Sequence, residues 1–290
     1  MCYISHSVII LRSVKNIAVK NTGVKLIMKS ICFIGAGKMA TAIATGLVRQ
    51  NTGFKIKAYD PSATAADHFK KACGGEICPE LKDALESDII LLAVKPQHLA
   101  DAVQALPALI GEKLVLSIVA GVTIETLSKL TGTNRIVRIM PNTPALVGEG
   151  MSCLSPATGL EKDDIDTAQE IFRTVGKVQV LPESLLDAVT GLSGSGPAFV
   201  LEFIMALADG GVYAGLPRAA AVELAAQTVY GAAKLAMESG RPVGALRDDV
   251  ISPGGTTSRG CMALAESGFA AGVAKAVIKA AERSAELGKR

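Results

Sequence analysis

Three groups of residues in this 290-residue chain have the types and spacing for chemistry on a charged small molecule. The first is Gly35-Ala36-Gly37-Lys38-Met39-Ala40, which follows the apolar run Ser30-Ile31-Cys32-Phe33-Ile34. It fits G-x-G-x-x-G/A in the setting that gives that pattern meaning, a strand end that opens a helix. Gly35 permits the tight turn. Gly37 lets the backbone approach a pyrophosphate held at the helix N-terminus, and Ala40 lets helix and strand pack closely. Ile34, Ala36, Lys38 and Met39 complete the set expected around a dinucleotide. Asp60 ends a second strand about 25 residues after Gly35, where an acid accepts the adenine-ribose 2′-OH and repels a 2′-phosphate. That favours NADH, or at least disfavours strict use of NADPH. The other reading of Asp60 is a turn or cap residue before Pro61.

The second group lies at the ends of later apolar runs. Ala93-Val94-Lys95-Pro96, Ala120-Gly121 and Asn142-Thr143-Pro144 each follow a strand. Ligands of open parallel sheets bind outside the carboxyl ends of the strands, so these segments would line one crevice. Lys95 either faces the coenzyme's ribose or phosphate or is a solvated loop lysine. The third group is Ser252-Pro253-Gly254-Gly255-Thr256-Thr257, ahead of a helix. Backbone N–H groups at such a start form a nest for a carboxylate, with hydroxyls beside it. Simple capping by Thr256 or Thr257 is the alternative. Gly191-Leu192-Ser193-Gly194-Ser195-Gly196-Pro197 is a second Gly/Ser loop at a helix start, either a cap and hinge or a close approach to the coenzyme.

Several chemistries find no support. There is no G-x-S-x-G elbow, H-E-x-x-H or P-loop. Six cysteines form no C-x-x-C, and the only histidines are His6, His68 and His98, which argues against a metal site. The thiols read as isolated cysteines of a reducing cytoplasm. The net charge of +3 is spread along the chain, with no basic patch for nucleic acid. No apolar run approaches the roughly 20 residues that span a bilayer.

These residues must be positioned by a scaffold, and the hydrophobic pattern says which. Apolar strand runs at 30–34, 55–59, 89–94, 114–119 and 135–140 alternate with helical segments at 39–49, 97–106 and 123–130. Alternation of this kind means a Rossmann-type parallel sheet with helices on both faces. A helix over 161–174 and a short strand over 178–181 close this half. Beyond Pro182 only helices are predicted, over 197–213, 218–239 and 269–287. The fold class is therefore α/β, a dinucleotide-binding domain over 29–181 followed by an all-α domain over 182–290. Residues 1–28 carry no acid and are read as an extension outside the fold, with Met28 as the natural start and a transit peptide as the other reading. The helix over 197–213 is apolar around most of its circumference. A helical half of this size cannot bury all of it alone, so a second subunit is expected to cover it.

Taken in order, Gly35-x-Gly37, Ala93 to Pro96, Met140 to Pro144, Gly191 to Pro197 and Leu246 to Thr257 resemble the pyrroline-5-carboxylate reductase family over residues 29–290. The resemblance implies hydride transfer from NADPH or NADH to the cyclic imine 1-pyrroline-5-carboxylate, giving proline. It implies dimers that often build rings, commonly decamers, with an active site between subunits. It puts Gly255, Thr256 and Thr257 around the substrate, with the Thr257 hydroxyl near the imine nitrogen. Ser252, Glu183 and Thr190 fall on the substrate side, and Lys95, Ala120 and Asn142 on the coenzyme side. Asp249 stands where some members have Asn, and Asp60 where some have a small polar residue. A β-hydroxyacid dehydrogenase would place a catalytic Lys on the helix that starts at Pro197, and none is there. A non-catalytic nucleotide-binding oligomer is the remaining alternative.

Overall fold

The computed structural model describes residues 29–103, 110–111 and 113–288. The extension expected over 1–28 lies outside the described residues. The chain starts with β1 (Ser30–Ile34), α1 (Lys38–Arg49), β2 (Lys55–Tyr59), α2 (Ala63–Cys73), β3 (Glu76–Ile77), α3 (Leu81–Ala84) and β4 (Ile89–Leu92). A 3₁₀ turn at Pro96–His98 runs into α4 (Leu99–Val103), the described part of the helix expected over 97–106. Then come β5 (Leu114–Ser117), α5 (Ile124–Thr131), β6 (Ile136–Met140), β7 (Gly150–Pro156), α6 (Lys162–Arg173) and β8 (Gly176–Val180).

The eight strands form one sheet in the order 3-2-1-4-5-6-7-8. The reversal of order on either side of β1 puts a crevice at the carboxyl ends of β1 and β4, the switch point where such sheets bind ligands. Strand β1 is apolar at every inner position because both its faces are covered. Ile31 and Phe33 join one core with Leu91, Leu116 and Phe172, while Cys32 and Ile34 join the other with Ile90, Leu92 and Leu127. A strand buried on both sides reads as an unbroken hydrophobic run, which is why it was visible in the sequence.

The sheet is not wholly parallel. β7 pairs antiparallel with β6, and β8 pairs parallel with β7. Only a 3₁₀ turn at Thr143–Val147 and its flanks join β6 to β7. So short a connection can return only antiparallel, whereas a parallel crossover needs a dozen residues or more. The sequence reading had no strand over Gly150–Pro156 and no β3.

The rest is helical: a 3₁₀ turn at Glu183–Leu185, α7 (Leu186–Val189), a π turn at Thr190–Gly194, α8 (Gly196–Tyr213), α9 (Arg218–Glu238), α10 (Val243–Asp249), α11 (Thr256–Glu266) and α12 (Phe269–Leu287). The segment read as a Gly/Ser loop is thus a π turn running straight into α8. Ser195 N–H closes it on the Thr190 carbonyl at 2.8 Å. Gly191 makes this possible, because a Cβ there would lie 2.5 Å from the Val277 carbonyl oxygen and 2.8 Å from the Ala281 nitrogen of α12. Helices α8 and α9 pack through small residues, Ala208 against Ala221 and Ala225. Their larger side chains stay uncovered: Leu201 is 62% exposed and Met205 60%. Between α8, α11 and α12 lies an apolar groove of about 580 Å³ lined by Phe199, Phe203, Leu264, Phe269 and Val273. Among the described residues one helical run, Glu183–Tyr213, is long and apolar enough to cross a membrane.

Candidate active site

The crevice predicted at the strand ends is a cleft of about 510 Å³. Ile34, Gly35 and Gly37 form one wall, Ala93, Val94 and Lys95 the opposite one, and Asp60 the rim. Gly35 has φ +100°, and a Cβ there would sit 2.7 Å from the Ala93 carbonyl oxygen. Both the turn and the close approach of β1 to β4 exclude any other residue. Gly37 is different. Its φ of −70° suits any residue, and a Cβ would meet nothing within 4 Å. Neither packing nor backbone conformation calls for glycine here, so the open space beside it fits a ligand. Helix α1 starts at this point with no side-chain cap and no acid in its first turn, leaving N–H groups and the positive end of the helix dipole for a phosphate.

Around the loop the neighbours divide. Ala36 is buried and donates its N–H to Asp60 Oδ2 at 2.7 Å. Asp60 Oδ1 accepts Ser62 N–H at 2.8 Å. Met39 packs against the core, and Lys38 points to a separate small hollow beside Arg49 and His68. Pro96 opens the 3₁₀ turn after Lys95.

Ala120 is exposed in the turn after β5. The adjoining Gly121, at φ +73°, lies against the end of α12, with a Cβ there 3.6 Å from the backbone of Leu287 and Gly288. Asn142 is engaged at both ends of its amide. Its Oδ1 accepts Met151 N–H at 2.8 Å, and its Nδ2 donates to the Ser193 carbonyl at 3.2 Å. It therefore ties the ends of β6 and β7 to the π turn. Thr190 at the head of that turn donates its hydroxyl to the Leu186 carbonyl.

Glu183 stands at the junction of the two halves. Its Oε1 accepts Arg138 Nη1 at 2.9 Å and Ile124 N–H at 2.8 Å. The Arg138 side chain is only 10% exposed. Sequence reasoning missed Arg138, although a lone charge inside the apolar run 136–140 signals a buried partner. It also missed Asp101 in the cleft wall, and it had Ser193 in the Gly/Ser loop without its bond to Asn142.

The segment Ser252 to Thr257 forms the predicted helix start. Gly254 has φ +70°, and Gly255 N–H closes on the Ser252 carbonyl at 3.0 Å. A Cβ on Gly255 would fall 2.2 Å from the Ser252 hydroxyl, so the tight turn needs glycine. No side chain caps α11, and Thr256 and Thr257 are its first two residues rather than its caps. The capping alternative is therefore not what the hydroxyls do. Among the described residues no hydrogen bond or ion pair joins 252–258 to the sheet. Ser258 bonds only within its own turn, to the Gly255 carbonyl at 2.7 Å. The structure thus groups Gly35, Gly37, Asp60 and Lys95 in one cleft, whose lining does not include Ser252, Gly255, Thr256 or Thr257. Asp249 is paired with Arg241, which holds its carboxyl below the usual range.

A switch-point cleft with an uncapped glycine-loop helix, followed by a helical half with uncovered apolar faces, defines a dinucleotide-dependent oxidoreductase. Residues 30–121 match the family description "NADP oxidoreductase coenzyme F420-dependent", and 183–287 match "Pyrroline-5-carboxylate reductase dimerisation". The chain is 46% identical to a pyrroline-5-carboxylate reductase of Methanosarcina acetivorans, over 90% of this chain and 99% of the relative. It resembles the solved pyrroline-5-carboxylate reductase of Coxiella burnetii with a TM-score of 0.85 and 35% identity, covering 91% of this chain and all of that one. The Plasmodium falciparum enzyme, solved with NADP bound, matches with a TM-score of 0.81 and 33% identity, over 90% of this chain and 98% of that one. This chain belongs to the pyrroline-5-carboxylate reductase family.

Proposed function

We infer that the chain reduces 1-pyrroline-5-carboxylate to proline with NADPH or NADH. The carrying observation for the substrate is the 252–257 segment, a helix start that no side chain caps, inside the stretch matching the family's dimerisation description. On this reading residues 29–181 bind the coenzyme and 182–290 dimerise and bind substrate.

The coenzyme, when bound, supplies the hydride. Its pyrophosphate would lie on Gly35 to Met39, with Ala93 to Pro96, Ala120 and Asn142 forming the rest of its cleft. The protein's own work is position and charge. N–H groups of Thr256 and Thr257, presented by the tight turn at Gly255, hold the substrate carboxylate, with Ser252, Glu183 and Thr190 on the same side. The Thr257 hydroxyl orients the ring nitrogen. With that nitrogen protonated, the C=N carbon accepts the hydride directly, the π pair moves to nitrogen, and no strong protein acid is required.

Because 252–257 and the glycine loop are separate within one chain, the site is read as shared, the partner subunit supplying one half. A second copy filling the groove beside Phe203 and Phe269 accounts for the dimerisation match, and a decameric ring is the larger assembly proposed. The run Glu183–Tyr213 then belongs to that interface. It carries Glu183, Asp187, Glu202 and Asp209, which favours an interface over a bilayer. The five cysteines among the described residues are all free, in keeping with a cytoplasmic setting.

The test is loss of reduced-coenzyme absorbance on adding the imine to purified protein, with mass by light scattering. Imine-dependent consumption by a dimer or larger species is expected. No consumption with either coenzyme, by folded oligomeric protein, would overturn the reading.

A further inference from the structure

We propose that Asp60 makes NADH the preferred coenzyme and at the same time tethers the glycine loop, so that coenzyme choice and loop geometry rest on one carboxylate. The proposal builds on the reading that the 510 Å³ cleft holds a nicotinamide dinucleotide.

The tether is visible. Gly35 N–H bonds the Tyr59 carbonyl at 2.8 Å, and the next N–H, of Ala36, bonds Asp60 Oδ2 at 2.7 Å. Ser62 N–H bonds Oδ1 at 2.8 Å, so each carboxylate oxygen is held by one backbone donor. Each carboxylate oxygen has room for a further donor, so Asp60 can still accept a ribose hydroxyl. A ribose 2′-phosphate offers no such proton and brings a charge of about −1.5 to −2.

The surrounding charges point the same way. The titratable groups lining the cleft include Asp60, Asp101, Lys95 and His98. Two carboxylates thus face one lysine and one histidine. The turn after Asp60 reads Pro61-Ser62-Ala63-Thr64, and the first lysine beyond it in the chain is Lys70, in the last turn of α2. Among the described residues no arginine lines the cleft, where a 2′-phosphate would need a fork of donors.

The dual role has a distinct signature in variants. Asp60→Asn keeps an acceptor for Ala36 N–H but removes the charge. Asp60→Ala removes both. We expect kcat/KM with the imine to favour NADH over NADPH by at least about tenfold in the wild type. In Asp60→Asn that ratio should fall by at least about tenfold, mainly through a lower KM for NADPH. Asp60→Ala should raise KM for both coenzymes together. A wild type that uses NADPH as well as NADH, or an Asp60→Asn variant with an unchanged ratio, would overturn the proposal. Should Asp60→Ala fail to fold, the wild type and Asp60→Asn still decide. If no imine is reduced at all, the reductase reading fails on its own. Calorimetric titration of NADH and NADPH into the wild type then tests coenzyme choice separately: tighter NADH binding supports the proposal, and equal or tighter NADPH binding contradicts it.

Discussion

Glu183 and Arg138 lie 45 positions apart in the chain, and their side chains meet at 2.9 Å. The same Glu183 oxygen accepts the first N–H of α5. One carboxylate thus joins the start of the helical half to the middle of β6 and to the helix that follows the Ala120–Gly121 turn. Removing it with Glu183→Ala leaves the Arg138 guanidinium buried without its anion. We expect a loss of about 3 kcal/mol in urea unfolding. Glu183→Gln keeps an acceptor in place and should lose only about 1 kcal/mol. Equal, small losses in both would show that the pair does not brace the junction.

Gly37 and Gly191 separate a glycine kept for a ligand from one kept for packing. Gly37→Ala adds a methyl group into open space, so its unfolding free energy should move by less than about 0.5 kcal/mol while the coenzyme KM rises about tenfold or more. Gly191→Ala drives a methyl group into the backbone of α12 and should cost about 2–3 kcal/mol or displace that helix. A destabilised Gly37→Ala protein with normal coenzyme KM would contradict the assignment.

Thr257→Ala removes a hydroxyl from the second position of α11, where it caps nothing. Turnover should fall by about a hundredfold, with coenzyme affinity intact in a binding titration. Unchanged turnover would remove Thr257 from the mechanism.

Asp88 gives a pH signature. Its carboxylate accepts both the hydroxyl and the N–H of Ser30 at 2.7 Å, and these bonds hold its pKa below the ordinary carboxylate value. A depressed folded-state pKa adds stability above the unfolded value and loses it as pH falls through the folded one. Asp88→Asn should therefore be less stable at neutral pH by about 1 kcal/mol, a modest figure because the site is exposed. The gap should close in acid. A gap independent of pH would assign the effect to packing.

Much of this was legible in the sequence because the signals were local. Gly35, Gly37 and the buried β1 carry their meaning within ten residues, and the helix over Phe269–Leu287 has the ends that the sequence predicts. Strand β7 was missed because Gly150, Ser152 and Ser155 interrupt Met151, Cys153 and Leu154, leaving no unbroken apolar run, and pairing with β6 and β8 makes it a strand. The π turn was missed because Gly191 and Gly194 read as breakers until α12 is placed against Gly191 and Met140 against Gly194. Asp60 is read in the sequence as a ribose acid or a turn residue, and its bond to Ala36 depends on the fold bringing β1 and β2 side by side.

The central claim is hydride transfer to the imine carbon. Purified protein incubated with 1-pyrroline-5-carboxylate and reduced coenzyme deuterated at C4, on each face in turn, tests it directly by mass spectrometry of the product. The account predicts proline carrying one deuterium on the former imine carbon with one of the two labelled coenzymes. Formation of no proline, or of proline unlabelled with both, would contradict it.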